Sequence, residues 1–291
     1  MIVHLVDGTY ELFRCYYGNK RSGRADDRRG AVRLVLQTLI SMAEDGGTHF
    51  GIATDHVIES FRNALWSGYK TGEGVEPQLL AQFHPLEEAL SVFGFRVWPM
   101  VELEADDALA SAAGLADAAE EVEKVCIWSP DKDLAQCVKG TRVVQVDRRG
   151  GHIRDAAAVA QKFGVPPASI PDYLALVGDS ADGYPGIPGW GARSAAAALS
   201  RYSHLSDMPI HDPAWRPPVA NAARLAESLR SSWDRALLFL RLATLRTDAP
   251  VFSSVDELRW KGPGPDALRL AGSVGDDALF ERAGKAFAGS A

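Results

Sequence analysis

The sequence predicts an α/β protein with a mainly parallel sheet covered by helices on both faces, followed by a helical region. In the first half, short apolar runs alternate with segments whose apolar residues recur every three or four positions. From about residue 156 onward, clear strand patterns disappear and helical patterns dominate. Several predicted strands also end in acidic residues, which is typical of a site at the carboxyl edge of a parallel sheet.

The individual elements follow from the same patterns, taken in chain order. The predicted strands are residues 2–6, 49–54, 95–98, 125–129 and 142–146. The predicted helices are residues 30–43, 79–93, 104–119, a helix start at 131–138, and then 192–199, 220–244 and 273–288. Residues 183–191 form a Gly/Pro-rich turn, and residues 209–218, with four prolines, form a loop.

The composition suits a globular protein and excludes several classes. The chain has 291 residues, of which 46% are hydrophobic and 24% charged. No apolar run approaches the roughly 20 residues that span a bilayer, and the N-terminus reads as a first strand rather than a signal peptide. The spacing of Cys15, Cys126 and Cys137 fits neither a zinc site nor a disulfide framework, which favours reduced thiols in a cytoplasm.

The net charge of −7 argues mildly against a nucleic-acid partner, because phosphate binding depends on basic surface. Nine of the 38 acids, however, lie in the motifs described next. Without those nine, the 31 lysines and arginines would outnumber the acids. The distribution of charge therefore decides the matter, and the total does not.

The strongest signal is the placement of acids at the carboxyl ends of strands, where parallel sheets bind ligands. Four aspartates follow predicted strands: Asp7, Asp55, Asp131 and Asp133. Three more acids, Glu104, Asp106 and Asp107, begin a predicted helix, where Glu104 and Asp107 share a face. We expect all of these carboxylates to converge on one crevice.

Taken singly, each acid has an ordinary explanation as a turn residue, a helix cap or a partner of the helix dipole. Together, so many carboxylates repel one another strongly unless cations neutralise them. Oxygen ligands without His or Cys suit Mg²⁺ or Mn²⁺ better than zinc. The acids therefore predict a site for divalent cations.

A second signal is the segment GDSADGYPGIPGWGARSA at residues 178–195. Asp179 and Asp182 lie one helical turn apart, so both can face the same cations. Gly186, Gly189 and Gly191 then precede a predicted helix, which resembles a helix-hairpin-helix turn whose backbone N–H groups point at a phosphate. Alone, such a turn is equally an ordinary connection between helices, and the two preceding acids make it specific.

In this order and spacing, the motifs resemble those of the 5′ nuclease superfamily: the amino-terminal domain of bacterial DNA polymerase I, phage 5′ nucleases and flap endonucleases. The similar segments are VDGTYELFR, ATD, SFR, YK, ELEADDALAS, SPDKDLAQ, ALVGDSADGYPGIPGWGARSA and RLATLRTD, and they cover roughly residues 2–250. The resemblance implies a PIN-like catalytic domain at residues 1–165, a helix-hairpin-helix DNA-binding region at 166–250 and a helical tail at 251–291. It also implies a monomeric, stand-alone nuclease that cuts DNA near 5′ ends, flaps or nicks in replication and repair.

The resemblance also implies the role of each residue. One metal would be held by Asp7, Asp55, Glu104 and Asp106, with Asp107 in support. The second metal would be held by Asp131, Asp133, Asp179 and Asp182, partly through water. Arg14 matches the family arginine on the first helix, and Arg62 and Lys70 match basic residues near the scissile phosphate, although spacing alone favours plain surface charge for all three. The implied cofactors are two or three Mg²⁺ or Mn²⁺ ions, and a K⁺ ion in the hairpin is left open.

The sequence departs from the family after Lys70, where relatives carry basic residues in a helical arch that threads a 5′ end. Glu73 and Glu76 follow instead, and no Lys or Arg appears before Arg96. The basic loop at residues 20–33 is the expected substitute, its alternative being a solvated loop without a partner. Its phosphate-contacting residues would be Arg21, Arg24, Arg28 and Arg29. Arg193 stands where many relatives have lysine, and we expect it to contact phosphate as well.

Two alternatives stay open at this point. A PIN-type ribonuclease shares the layout of acids, but such domains are short and lack the GxxGxG module. A catalytically weak branched-DNA-binding protein would be expected to have lost some of the acids. A haloacid-dehalogenase phosphatase is excluded because residue 9 is Thr rather than Asp, and neither a Walker A nor a dinucleotide-binding motif is present.

Overall fold

The computed structural model describes residues 1–23, 27–148 and 150–289. These residues divide into two compact units. The first consists of Met1–Ile58, Gly72–Ser129 and Arg246–Ala291, and the second of Glu59–Thr71 and Pro130–Leu245. The three-segment division inferred from the sequence stays a prediction.

The strands and helices occur in the following order along the chain. The strands are β1 (Ile2–Asp7), β2 (His49–Asp55), β3 (Arg96–Met100), β4 (Lys124–Trp128), β5 (Val143–Asp147) and β6 (His152–Arg154). The α-helices are α1 (Gly8–Arg21), α2 (Gly30–Glu44), α3 (Phe61–Leu65), α4 (Pro77–Leu80), α5 (Phe83–Val92), α6 (Ala105–Ala118), α7 (Ala156–Phe163), α8 (Ile170–Val177), α9 (Ala192–Tyr202), α10 (Ala222–Ser231), α11 (Trp233–Ala243), α12 (Ala267–Ser273) and α13 (Ala278–Gly289). Short 3₁₀ helices lie at Asp133–Cys137, Pro167–Ser169, Leu205–Asp207 and Val255–Leu258.

The strands of the first unit pair in parallel, as the alternation of strands and helices predicts. β1 lies between β2 and β4, and β2 also pairs with β3. In the register, Asp7 lies opposite Ala53 and Asp55 opposite Met100. The carboxyl ends of these strands therefore meet at one edge. In the second unit, β5 and β6 form an antiparallel pair. Because the other three pairs, β1 with β2, β1 with β4 and β2 with β3, are parallel, the prediction of a mainly parallel arrangement is confirmed.

Helices cover both faces of the parallel strands. Val6, Phe50 and Ile52 share a core cluster with residues of α1, α2, α5, α12 and α13. α6 contacts all four strands, yet within the described chain none of its residues belongs to that cluster. Since side chains of a strand alternate between faces, α6 lies on the other one. The buried alanines of α6 let it approach the strands closely.

The second unit is helical after β6, as the sequence predicts, but its details differ. The predicted helix at residues 220–244 is divided into α10 and α11, because Ser232 leaves the helical conformation between them. The helix start predicted at 131–138 is a 3₁₀ helix that begins only at Asp133. Leu174 of α8, Leu199 of α9 and Phe239 of α11 lie in one buried core.

Two further predictions concern the whole chain. Among the described residues, no helix has both the length and the apolar character needed to cross a membrane. Cys15, Cys126 and Cys137 are free cysteines. The C-terminal residues also belong to a core, since buried Trp260 stacks on Phe95 and donates its indole N–H to the carbonyl of Phe93 at 2.7 Å.

Candidate functional site

In the first unit, Asp7 joins the ends of two strands to the start of a helix. Its Oδ1 accepts the backbone N–H of Tyr10 at 2.8 Å and so caps α1. Its Oδ2 accepts the hydroxyl of Ser129, directly after β4, at 2.9 Å. Asp7 is buried. One carboxylate is thus fixed at the carboxyl edge between β1 and β4.

Asp55 takes the equivalent position at the end of β2. Its Oδ1 accepts the backbone N–H of Ala105, the first residue of α6, at 2.9 Å. Its own N–H donates to the Thr9 hydroxyl at 2.8 Å. Glu104, buried, is the N-cap of α6, and Asp106 lies in the first turn. The structure therefore brings Asp55 to the helix start that carries Glu104 and Asp106, at the carboxyl edge of the sheet.

Asp107 differs from Asp7 and Asp55 because backbone N–H groups donate to both of its carboxylate oxygens. Oδ2 accepts the N–H of Glu104 at 3.0 Å, and Oδ1 accepts the N–H of Arg246 at 2.8 Å. The residue is fully buried. With both oxygens occupied in this way, Asp107 orients the start of α6, which agrees with the supporting role that the resemblance implies better than with the role of a metal ligand.

In the second unit, three aspartates form a tight cluster. Asp133, Asp179 and Asp182 each offer a carboxylate oxygen, and these atoms lie within 4.8 Å of one another. Asp131 is exposed beside them, and its Oδ1 accepts the N–H of Asp133 at 3.0 Å. Buried Gln145 of β5 donates to the carbonyl of Asp131 at 2.6 Å and fixes this segment.

Asp179 and Asp182 come together by a different route from the predicted helical turn. The backbones of Asp179 and Tyr184 pair in an isolated bridge, with N–H···O distances of 2.8 and 3.0 Å in the two directions. Gly178 and Gly183 both have φ of +82°, which ends α8 and allows a tight loop. The pairing of Asp179 with Tyr184 closes this loop. The loop, rather than a helical turn, therefore brings both aspartates to the cluster with Asp133.

The cluster carries unbalanced negative charge. Burial raises the pKa of Asp133 well above its ordinary value, and the charges of Asp131, Asp182 and Asp179 raise it further. Among the described residues, Oδ1 of Asp133 has no hydrogen-bond partner, nor does the buried hydroxyl of Tyr184. An orphaned carboxylate oxygen beside two other carboxylates fits a hard cation such as Mg²⁺ or Mn²⁺.

Two lysines pair with the cluster. The ammonium of Lys70 lies 3.2 Å from Oδ1 of Asp182, and that of Lys132 lies 2.7 Å from Oδ2 of Asp179. The backbone N–H of Lys70 also donates to the carbonyl of Asp182 at 3.0 Å. Lys70, predicted to contact the scissile phosphate, is thus held beside the acids of its own unit.

Arg62 has a different position from the predicted phosphate contact. It is 1% exposed, and its Nε donates to the carbonyl of Leu242 at 2.8 Å. Its Nη2 donates to the carbonyl of Thr244 at 3.4 Å, and the guanidinium lies over the ring of Phe61. This burial makes Arg62 a residue that holds the end of α11. The predicted phosphate contact of Arg62 stays a prediction.

Arg14 is partly exposed and lies on α1. Its guanidinium pairs with Glu11, three residues earlier, whose side chain is only 1% exposed. An arginine that neutralises a buried carboxylate has a structural reason for its position. The predicted catalytic role of Arg14 stays a prediction.

The predicted basic loop is partly held by other side chains. Lys20 pairs with Glu76 at 2.7 Å, and Arg29 donates to the hydroxyl of Ser273 at 2.7 Å. Arg21 ends α1 and is exposed, as are Arg28 and Arg29, which border a cavity of about 650 Å³. Arg24 lies outside the described residues.

The three glycines of the hairpin motif serve different purposes. Gly186 has φ of +70°, and a Cβ there would collide with the backbone nitrogen of Gly178. Gly189 has φ of +84°. Gly191 is the N-cap of α9, where a Cβ would meet no heavy atom of the described chain within 4 Å. The N-terminus of α9, with exposed Arg193 in its first turn, is therefore open to a ligand.

Comparison with known proteins identifies the family of this chain. The family model for the 5′-3′ exonuclease N-terminal resolvase-like domain matches residues 2–164, and that for the 5′-3′ exonuclease C-terminal SAM fold matches residues 165–266. The chain belongs to the 5′-3′ exonuclease family. The chain is 31% identical over 275 residues to DNA polymerase I of Pseudomonas aeruginosa, covering 91% of this chain and 29% of that protein. It is 28% identical over 258 residues to a 5′-3′ exonuclease of Buchnera aphidicola, covering 86% and 88% respectively.

Two solved structures share the fold of this chain. The T5 5′-exonuclease superposes with a TM-score of 0.67 at 17% identity, with both chains fully covered. Flap endonuclease-1 from Methanococcus jannaschii gives a TM-score of 0.63 at 13% identity over 99% of this chain and 92% of its own. The chain spans about three-tenths of the length of the DNA polymerase I relatives that it matches.

The sequence prediction omitted several residues that shape the site. Thr9 and Ser129 hold Asp55 and Asp7, Lys132 pairs with Asp179, and Tyr184 lies against the aspartate cluster. Thr9 and Ser129 could have been inferred, because each lies beside a strand end that carries an acid. Lys132 stands between two predicted ligands. Tyr184 carries no signal of its own in the sequence, because its place depends on how the loop closes.

We expect Asp133 to make the stability of the metal-free protein depend on pH. Because its pKa is raised on folding, the folded chain binds a proton there more tightly than the unfolded chain. The contribution of Asp133 to stability should therefore be present at low pH and be lost as pH rises from the ordinary value of 3.8 through the raised pKa. The measurement is urea unfolding in a chelator across this range. Asp133→Asn should flatten the profile and reduce the stabilisation by Mg²⁺ at high pH. Identical profiles in the two proteins would contradict the electrostatic interpretation.

The glycines of the hairpin should separate folding from DNA binding. Gly186→Ala meets backbone at a positive φ and should lower the free energy of unfolding by at least about 2 kcal/mol. Gly191→Ala meets open space and should lower stability by no more than about 1 kcal/mol, the cost of alanine at an N-cap, while weakening DNA binding at the N-terminus of α9. Chemical denaturation and a fluorescence-anisotropy titration with a DNA duplex measure the two effects. Normal DNA affinity of Gly191→Ala would remove the hairpin from the proposed interface.

Proposed function

We propose that this chain hydrolyses DNA phosphodiester bonds near 5′ ends or 5′ flaps with the help of divalent cations. The observation that carries the proposal is the cluster of Asp133, Asp179 and Asp182, whose carboxylate oxygens lie within 4.8 Å of one another. A buried group of this kind is costly without a cation. Family membership supports the reaction type, since a Buchnera relative that is matched over most of its length is a 5′-3′ exonuclease.

The cations are assigned to two sets of acids, one in each unit. The first-unit set is Asp7, Asp55, Glu104 and Asp106, and the second-unit set is Asp131, Asp133, Asp179 and Asp182. When bound, Mg²⁺ or Mn²⁺ would supply Lewis-acid activation of water and of the scissile phosphate. The all-oxygen character of both sets favours these ions over zinc. A flap endonuclease of bacteriophage T5, similar in fold, has been solved with DNA and metal ions.

The protein side chains then have distinct tasks. The acids orient the cations through positions fixed by Thr9, Ser129 and the backbone of α6. Lys70 carries positive charge beside Asp182 and would offset charge on the phosphate. Arg14 is proposed to have the same kind of task. A phosphate of the DNA would bind at the N-terminus of α9, near Gly191 and Arg193. A K⁺ ion in the hairpin is a separate part of this proposal.

The partner is DNA with a 5′ end, a flap or a nick, bound by a monomer. A PIN-type ribonuclease is less well supported, because the C-terminal family model matches residues 165–266, a region that short PIN domains lack. Cleavage of 5′-labelled flap, nicked, gapped and blunt DNA, with an RNA flap beside them, tests the assignment. Product lengths separate exonuclease from flap cutting, and preferential cleavage of the RNA flap would favour the alternative.

One substitution in each set of acids tests whether both serve the same reaction. Asp55→Asn and Asp182→Asn keep side-chain size while removing charge, and each should reduce cleavage by more than about 100-fold with DNA binding retained. Asp266→Asn, at an exposed position before α12, is the matched control and should cleave normally. The measurement is the single-turnover rate on a labelled flap in Mg²⁺. Full activity of either site variant would refute the assignment of its set.

The basic loop should contribute through phosphate contacts. Arg21→Ala combined with Arg28→Ala should weaken DNA binding and reduce the slope of log K against log salt by about 1 to 2, since each lost phosphate contact removes about 0.9. Arg269→Ala, an exposed arginine on α12, is the control. The readout is DNA affinity at several salt concentrations. An unchanged slope in the double variant would show that the loop is merely solvated.

A further inference from the structure

The first unit contains a second group of potential metal ligands, outside the acids described above. His56, His84 and Glu87 offer ligand atoms that lie within 4.8 Å of one another. Nδ1 of His56 is 2.8 Å from Oε2 of Glu87, and Nδ1 of His84 is 3.8 Å from the same oxygen. We propose that these three residues bind a transition-metal ion of the Zn²⁺ class. The proposal does not depend on the cleavage reaction.

The fold brings the three side chains together for simple reasons. His84 and Glu87 lie three residues apart on α5 and therefore share a face of the helix. His56 follows the end of β2, and its backbone N–H donates to the carbonyl of Met100 at 2.8 Å. The two imidazole rings meet edge to face, with centroids 4.3 Å apart. Both rings therefore reach the same carboxylate.

The carboxylate of Glu87 is oriented so that one of its oxygens faces the two histidines. The residue is 8% exposed, and its Oε1 accepts the hydroxyl of Thr54 at 2.8 Å. This bond fixes the carboxylate and leaves Oε2 toward the histidines. Hydrogen bonds of this kind, from a neighbour to a ligating carboxylate, are typical of metal sites and orient the ligand.

The donor set selects the class of ion. Two imidazoles and one carboxylate suit Zn²⁺ and similar ions, whereas Mg²⁺ prefers oxygen alone. Ligand atoms around tetrahedral zinc are separated by roughly 3.3 Å, since each lies about 2.0–2.1 Å from the metal. The distances from Oε2 of Glu87 to Nδ1 of His56, 2.8 Å, and to Nδ1 of His84, 3.8 Å, lie on either side of that value. The side chain of His84 is 64% exposed, so it can adjust its position and water can complete the coordination.

An ion at this position would have a mechanical effect. Thr54, Asp55 and His56 are consecutive, and Asp55 is the acid that contacts the first residue of α6. Binding would therefore join α5 to the end of β2, next to a proposed ligand of the catalytic cations. The expected result is higher thermal stability of the full chain with Zn²⁺ bound.

The test is a Zn²⁺ titration of the full-length, chelator-treated chain by calorimetry, in excess Mg²⁺ to occupy the all-oxygen sites. Wild type should show one tight site, and Co²⁺ in place of Zn²⁺ should give visible absorption typical of nitrogen ligation. His84→Ala and Glu87→Gln should weaken Zn²⁺ affinity by at least about 100-fold and remove that absorption. His211→Ala, which changes an exposed histidine elsewhere, should bind like wild type.

Two outcomes would overturn the proposal. One is the absence of tight Zn²⁺ binding by wild type in excess Mg²⁺, which would leave only a histidine–carboxylate pair. The other is unchanged affinity in His84→Ala. Because His84 is exposed, its variant should fold, and an unaltered melting temperature without metal verifies this. His84→Ala therefore decides the matter even if Glu87→Gln unfolds.

Discussion

Electrostatic repulsion among buried carboxylates is the constraint on which the rest of this molecule depends. Asp133, Asp179 and Asp182 are nearly excluded from solvent, and their oxygens lie within 4.8 Å of one another. Such a group persists only when the surrounding fold holds it and positive charge offsets it. Here the fold supplies the bridge between Asp179 and Tyr184, the hydrogen bond that the N–H of Asp133 donates to Asp131, and two lysine partners.

The acids of the first unit also contribute to folding. Asp7 caps α1, Asp55 accepts the first N–H of α6, and Asp107 holds both Glu104 and Arg246. A carboxylate that fixes a helix start has a defined direction, which is what a cation ligand requires. Because of these bonds, truncating one of these side chains would disturb a helix start as well as remove a carboxylate. A loss of activity in such a variant would then have two causes.

Much of this arrangement could be predicted from the sequence, because it depends on local rules. A parallel sheet collects the ends of its strands, so the strand pattern alone assigns Asp7 and Asp55 to one edge. The GxxGxG spacing indicates the turn that precedes α9. The burial of Arg62 could not be predicted, since its partners are carbonyls some 180 residues away in sequence. The closed loop at Asp179 and the meeting of His56 with α5 likewise depend on tertiary contacts.

The pairing of Lys132 with Asp179 and of Lys70 with Asp182 has a consequence for the order of events. In the absence of divalent ions, the two ammonium groups act as internal counterions. In the proposed function, a cation that took these aspartates as ligands would displace the two ammonium groups and leave two positive charges available to the phosphate of the DNA. Cation uptake and DNA affinity would then be thermodynamically linked, each making the other more favourable.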